Sequence, residues 1–213
     1  MARHTTIGID IGTTSVKVAV VDENTKELLG AWSLATDASV PNTESEINAS
    51  EQDTAKILLT LQKCLLKVPL ELRAGVRSVG VSGQMHGVVL WKSGAVWQRT
   101  ENGQLCVGSH VSRLYTWQDG RCTPEFLASL PKPYSHLRLA SGFGCATLFW
   151  LCRYGQETLD GYNCAGTIQD YVVAMLCNLD KPIMSTHNAA SWGYFDTKEN
   201  AWNTKLYIDC GIQ

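Results

Sequence analysis

The stretch that most constrains this chain is its first continuous β pattern and the turn inside it. Thr6-Ile7-Gly8-Ile9-Asp10-Ile11 is apolar and β-rich, Gly12-Thr13-Thr14 turns, and Ser15-Val16-Lys17-Val18-Ala19-Val20-Val21-Asp22 resumes the same pattern. Glu23-Asn24 is a second turn, and Leu28 to Leu34 a third candidate strand. Neighbouring strands joined by such short turns predict an antiparallel meander.

The remainder mixes both periods. Residues 37–49 are polar, carry Pro41 and read as loop. Ser50 with Asp53 three residues later resembles a helix start, and Ile57, Leu61, Leu65 and Val68 then share one helical face up to Pro69. Val76 to Ser82 and Val88 to Trp91 are apolar strands on either side of Gly83-Gln84-Met85-His86-Gly87. Residues 92–122 are Gly- and polar-rich, mainly loop with room for a short hairpin. Beyond 123 the pattern turns helical at Glu125–Leu130, Cys145–Tyr154 and Gln169–Asn178, with a possible strand at Ala165–Ile168. Ser191–Asp196 suggests a strand, and Thr204–Cys210 the start of a last helix. The expectation is an α/β domain with a mixed sheet, antiparallel N-terminal strands and flanking helices.

Charge and cysteine usage narrow the partners. The 213 residues carry 18 Lys+Arg against 20 Asp+Glu, a net −2, which argues against a nucleic-acid partner because phosphate-tracking proteins need a basic excess. No apolar run approaches the roughly 18 residues of a membrane span, and Met1-Ala2-Arg3-His4-Thr5-Thr6 has no signal core. Eight cysteines, at 64, 106, 122, 145, 152, 164, 177 and 210, form no Cys-x-x-Cys pair. They read as reduced thiols in a cytoplasmic protein, Cys64 and Cys177 serving as small hydrophobes in helical patterns.

Asp10 to Lys17 is the sharpest chemical signal. Successive N–H groups in a glycine turn make an anion-binding concavity, and Gly12 lets the backbone approach oxygen atoms that a side chain would block. Thr13, Thr14 and Ser15 add hydroxyls, and Lys17 positive charge. Asp10 can hold Mg²⁺, directly or through water, because hard cations prefer oxygen ligands. A plain β-hairpin, with Gly-Thr-Thr serving turn geometry, explains the same residues. The segment is neither a Walker loop nor a dinucleotide fingerprint.

Two further clusters suit a polyol. Gln84 both donates and accepts, His86 does either according to tautomer, and Met85 lies between them at a strand end. The alternative is that Met85 is core and His86 satisfies a loop carbonyl. Trp117-Gln118-Asp119-Gly120-Arg121 offers an aromatic face for sugar C–H groups and a carboxylate for hydroxyl donors. Arg121 either pairs with Asp119 to fix the loop or is exposed. The other six tryptophans, Trp32, Trp91, Trp97, Trp150, Trp192 and Trp202, read as core, and Asp170 as a helix-start acid.

Asp10-Ile11-Gly12-Thr13-Thr14 near the N-terminus resembles the first phosphate motif of the actin-like ATPases, and within them that of the FGGY carbohydrate kinases. Further landmarks follow in family order: Glu51-Gln52-Asp53, Ser82-Gly83-Gln84-Met85-His86-Gly87, Trp117-Gln118-Asp119-x-Arg121, Ser141-Gly142-Phe143, Gln169-Asp170-Tyr171 and Ser185 to Phe195. The resemblance implies an actin-like ATPase (ribonuclease H-like) lobe over residues 1–213, the N-terminal domain of a kinase that uses ATP and Mg²⁺. It gives Asp10, Gly12, Thr13, Thr14, Ser15 and Lys17 to phosphate and metal, and Gln84, Met85, His86, Trp117, Asp119 and Arg121 to the sugar. Glycerol kinases carry Arg-Glu where this chain has Met85-His86, so the resemblance favours a ketose, and its wording lies nearest the kinases of a seven-carbon, sedoheptulose-like ketose. The family's general base lies beyond the counterpart of Gly211, so no catalytic base is expected before Gln213. The chain is then a partial lobe missing its C-terminal partner lobe and inactive alone; the alternative is a non-catalytic sugar- or phosphate-binding module.

Overall fold

The computed structural model describes residues 4–43, 48–94, 97–103, 105–108 and 110–209. Strands β1 (Thr5–Ile11), β2 (Ser15–Asp22) and β3 (Leu28–Ala35) form the expected antiparallel meander. Ile9 stands opposite Val18, and Val18 opposite Trp32. On the other side of β1 the strand Val76–Gly83 runs parallel, giving a four-stranded mixed sheet with β1 inside it.

Strand periodicity decides which face is covered. Ile7, Ile9, Ile11, Val16, Val18 and Val20 point to one face and are buried, each contributing roughly 1.5–3 kcal/mol. Helix α1 (Thr54–Leu66) covers that face with Ile57, Leu58, Leu61 and Cys64. Its N-cap is Asp53, whose side chain accepts the Lys56 N–H at 3.1 Å. Ser50, read as part of the helix start, turns elsewhere: its hydroxyl meets that of Thr116 at 2.8 Å. Leu65 is only half-buried, because the buried stripe runs 57, 61, 64, 68 and leaves it one residue further round.

The strand Val89–Trp91 joins two cores. Val89 and Trp91 pack into the sheet core with Ile168, Tyr171 and Val172 of the helix Ile168–Leu176. Val88 and Leu90 face a second core, with Phe149 of the helix Gly144–Tyr154 and Trp192 of the helix Thr186–Trp192. Residues Ser39–Val40, Glu51–Gln52 and Leu114–Tyr115 pair as a short ribbon beside the β1–β2 turn, and Gln98–Arg99 pairs with Leu105–Cys106 as a small hairpin.

Two expectations need correction. Residues 186–192 are helical and only Phe195–Asp196 is strand. Ser185 caps the helix by accepting the Asn188 N–H, Ala189 and Ala190 favour it, and Gly193 at φ 92° ends it. Cys177, read as a small hydrophobe within a helix, is exposed at that helix's C-cap, whereas all six tryptophans read as core pack into or against the two cores. Cys210 lies outside the described residues.

Candidate functional site: the hairpin tip and the loops around it

Asp10 sits on β1 between Ile9 and Ile11, so strand alternation turns it away from the core. It stands opposite Lys17 on β2 and Ser82 on the parallel strand. Lys17 Nζ lies 3.3 Å from its Oδ2, and the Ser82 hydroxyl donates to its Oδ1 at 3.4 Å. The Asp10 side chain is 43% exposed, so this carboxylate and hydroxyl are open to a hard cation. Mg²⁺ commonly takes one or two carboxylates and leaves its other positions to water and phosphate oxygens, and this donor set fits that habit.

The turn between β1 and β2 is closed by the Gly12 N–H donating to Ser15 O at 2.9 Å. Thr14 O accepts from Thr36 N–H at 3.0 Å. Among the described residues the N–H groups of Thr13 and Thr14 donate to no protein acceptor. Two such donors on one turn are what an anion requires.

The Gly83–Gly87 segment lies directly beside this turn, with Ile11 opposite Gly83 and the Gln84 N–H donating to Ile11 O at 2.8 Å. Gln84 is buried; its Oε1 accepts from the Thr13 hydroxyl at 3.4 Å, and its Nε2 donates to Gln52 Oε1 at 2.9 Å. Met85 is 53% exposed, so it is not core. His86 holds φ 70°, a conformation L residues rarely adopt, and its ring stacks on Phe143 with centroids 4.3 Å apart. His86 Nδ1 lies 2.7 Å from Ser191 O. A carbonyl only accepts, so Nδ1 carries a proton, and in the neutral ring Nε2 is left as an acceptor.

Trp117 is 45% exposed, and its indole N–H donates to the Thr13 hydroxyl at 3.0 Å. Arg121 pairs with Asp119, the first of the two readings the sequence allowed, and both side chains are buried rather than open to a sugar. The Asp119 carboxylate accepts four hydrogen bonds: Ser50 N–H (2.9 Å), Arg121 N–H (3.1 Å), Arg121 Nε (2.7 Å) and Arg121 Nη2 (2.9 Å). A carboxylate offers about four lone-pair sites; a sugar hydroxyl would have to displace one of these donors. Arg121 Nη2 also donates to Glu51 Oε1 at 2.8 Å, and the guanidinium lies over Tyr115 and Trp150, 4.5 and 5.2 Å from the ring centroids. Burial opposes its charge, but Asp119 and Glu51 hold the guanidinium above its ordinary pKa. Burial, reinforced by Glu51, pushes the Tyr115 phenol up to about 12. In this arrangement the pair frames the loop that presents Trp117.

Asp170 caps the helix Ile168–Leu176 in a reciprocal box with Thr167, as a helix-start acid should. Burial raises its pKa, opposed by hydrogen bonds from Thr167 and Asn188.

Several residues here lay in stretches noted in the sequence without a role. Gln52 Nε2 donates to Thr13 O at 2.6 Å. The Ser141 hydroxyl donates to Asp119 O at 2.7 Å. Gly142 has φ 80°, and a Cβ there would collide with the Trp117 backbone carbonyl. Phe143 supports the His86 ring, so Ser141-Gly142-Phe143 braces both the Gly83–Gly87 and the Trp117–Arg121 loops. Ser191, whose carbonyl fixes the His86 tautomer, lay in the Ser185–Phe195 landmark and was read as a strand start, with nothing linking it to His86.

Comparison with known proteins matches residues 5–213 to the FGGY family of carbohydrate kinases, N-terminal domain. Sedoheptulokinase from Homo sapiens is 50% identical over 220 residues, covering 99% of this chain and 46% of that protein. The Mus musculus sedoheptulokinase gives 50% over 218 residues, with the same two coverages. The chain thus spans about half the length of the curated relatives it matches. Among solved structures, a gluconate kinase from Lactobacillus acidophilus superposes with TM-score 0.75 at 18% identity, over 99% of this chain and 40% of that one. A ligand-bound xylulose kinase from the same organism gives 0.73 at 19% identity, with the same coverages. Plasmodium falciparum glycerol kinase with ADP gives 0.72 at 19% identity, over 97% and 40%. These likenesses establish the fold, the expected mixed α/β, actin-like ATPase lobe.

Proposed function

This chain belongs to the FGGY family of carbohydrate kinases, and from that membership we propose that it is the N-terminal lobe of an enzyme that phosphorylates a ketose hydroxyl with ATP. The observation that carries the reading is the meeting of two machineries at one point: the phosphate-type turn at Gly12–Thr14 is hydrogen-bonded to Trp117 and Gln84 of the polyol-type loops. The identity to sedoheptulokinases along nearly the whole chain favours a seven-carbon ketose, sedoheptulose, as substrate.

In this reading the N–H groups of Thr13 and Thr14 receive the terminal phosphates, with Gly12, Ser15 and Lys17 shaping and charging the same turn. Asp10 and Ser82 would hold Mg²⁺, which supplies charge neutralisation on the transferring phosphoryl group. The sugar lies across Trp117, with Met85 and the Nε2 acceptor of His86 beside it; Gln84, Asp119 and Arg121 position that surface from behind. Phosphoryl transfer forms a bond from the sugar oxygen to the γ-phosphorus, breaks the bond to the β-bridging oxygen, and sends the hydroxyl proton to a base. Three carboxylates near the turn already have partners: Asp10 with Lys17, Glu51 with Arg113 and Arg121, and Asp119 with Arg121. In this reading none of them is the base; the family resemblance places it beyond the counterpart of Gly211, together with the wall that holds the adenosine. The unpaired thiols Cys64, Cys122, Cys145 and Cys164, all buried, suit a reducing cytoplasm.

Calorimetry of this chain with sedoheptulose, xylulose and glycerol, alongside a coupled ADP-release assay, tests the reading. Ketose binding stronger than glycerol binding, without turnover, is expected. Turnover by these 213 residues would overturn the placement of the base, and absence of ketose binding by folded protein would overturn the sugar surface.

A further inference from the structure

We infer that Gln52 is a positioning residue: it sets the polarity of a closed ring of hydrogen bonds that aims the Trp117 indole. Gln52 is 3% exposed and lies against the turn, lining one cavity with Thr13, Thr14 and Gln118. Its Nε2 lies 2.6 Å from Thr13 O, its Oε1 lies 2.9 Å from Gln84 Nε2, and Gln84 Oε1 lies 3.4 Å from the Thr13 hydroxyl. The ring closes on Thr13, where Trp117 Nε1 joins it from outside at 3.0 Å.

Every direction follows from one carbonyl. Thr13 O can only accept, so the Gln52 amide must present its NH₂ there and its oxygen to Gln84. Gln84 must then donate to Gln52 and offer its own oxygen to Thr13. The Thr13 hydroxyl has a single hydrogen, which goes to Gln84 and leaves lone pairs outward. An indole N–H can only donate, and with the hydroxyl hydrogen held on Gln84 a lone pair of the Thr13 oxygen is kept facing it. Two of the three ring residues, Gln52 and Gln84, are buried, where unmade polar bonds are most costly and each bond polarises the next. The ring thereby joins three stretches of chain, the β1–β2 turn, the short strand Glu51–Gln52 and the segment just after Val76–Gly83, and Trp117 ties its own loop to them as a fourth.

A second consequence concerns Thr13. Its hydroxyl hydrogen is engaged by Gln84, so Thr13 serves a phosphate through its main-chain N–H, and the hydroxyls left for anions on this turn are those of Thr14 and Ser15. The ligand part of the test rests on the sugar-kinase reading above; the ring itself does not.

Indole ¹⁵N–¹H spectra of the labelled chain decide the ring without any ligand, the Trp117 signal being identified by its loss in Trp117→Phe. Gln52→Ala and Gln52→Glu both remove the donor to Thr13 O, and Thr13→Val removes the acceptor of Trp117. In each, the Trp117 N–H is expected to exchange roughly 5-fold faster or more. The Trp192 N–H, held by Gly87 O at 3.1 Å, serves as the unmoved control. Thr13→Ser keeps the hydroxyl and is expected to behave as the parent. Unchanged Trp117 exchange in folded Gln52→Glu or Gln52→Ala overturns the proposal.

Ketose titrations then separate positioning from general support. Gln52→Ala is expected to weaken binding by about 5-fold in the parent and hardly at all in a Trp117→Phe background, because the link it acts through is already broken. Additive losses overturn the positioning role. If the parent chain binds no ketose, the substrate reading fails while the exchange result still decides the ring.

Discussion

The indole N–H of Trp117 and the hydroxyl of Thr13, 104 residues apart in sequence, meet at 3.0 Å. The contact separates two properties of one side chain, its face and its N–H. Trp117→Phe keeps an aromatic face without the donor, and Trp117→Ala removes both. We expect ketose affinity to fall about 3-fold in the first and about 10-fold or more in the second. Because the side chain is half exposed, neither should shift the urea midpoint by an amount worth more than about 1 kcal/mol. Equal affinities in both variants and the parent would place the sugar elsewhere.

Asp119 and Arg121 answer to stability. Removing one partner leaves the other charge buried, so Asp119→Ala should cost about 3–5 kcal/mol. Arg113 also pairs with Glu51, but its side chain is 59% exposed. Its replacement by alanine should cost about 0–1 kcal/mol. Urea denaturation of the two variants side by side checks the contrast; comparable losses would show that burial does not set the strength of these pairs.

Asp10 should behave in the opposite way. Its pair with Lys17 is well exposed, so Asp10→Asn is expected to leave thermal stability unchanged. Tripolyphosphate titrations with and without Mg²⁺ ask only for the turn and the cation. The parent should bind more tightly with Mg²⁺, and Asp10→Asn should lose most of that gain. A gain retained in Asp10→Asn would remove Asp10 from the metal site.

Asp170 gives stability a pH slope. Burial raises its folded pKa above the unfolded value near 3.8, so the folded state holds its proton more tightly. The associated stabilisation is fully present below the unfolded pKa and is lost as pH rises through the folded pKa. Asp170→Asn has no such titration, so the variant should lack this decline with rising pH. Urea midpoints at closely spaced pH values through the acidic range test this, and parallel slopes for the two proteins would refute it.

How far the sequence was legible depended on whether the controlling interaction was local. The meander over residues 5–35 was readable because its turns are short and its alternation regular. Residues 186–192 misled because Ser191 to Asp196 carries β-favouring aromatics, while the helix depends on the Ser185 cap just upstream. The Asp119–Arg121 pair was legible because the two stand two residues apart; its burial was not, because it depends on Tyr115, Trp150 and Glu51, which no spacing rule connects to them. Gln52 and Ser191 act through partners 39 and 105 residues away. Family order marked Gln52 as a landmark, and only the folded chain gives it partners.

The cluster of Glu51, Asp119 and Arg121, with the exposed Arg113 at its edge, holds two positive and two negative charges. Its field cancels at a distance, and Lys17 beside the turn is likewise offset by Asp10. This lobe therefore offers an approaching polyphosphate almost no long-range pull. On the reading proposed above, capture would rest on contact with the oriented N–H groups of the turn, and its rate should change little with ionic strength.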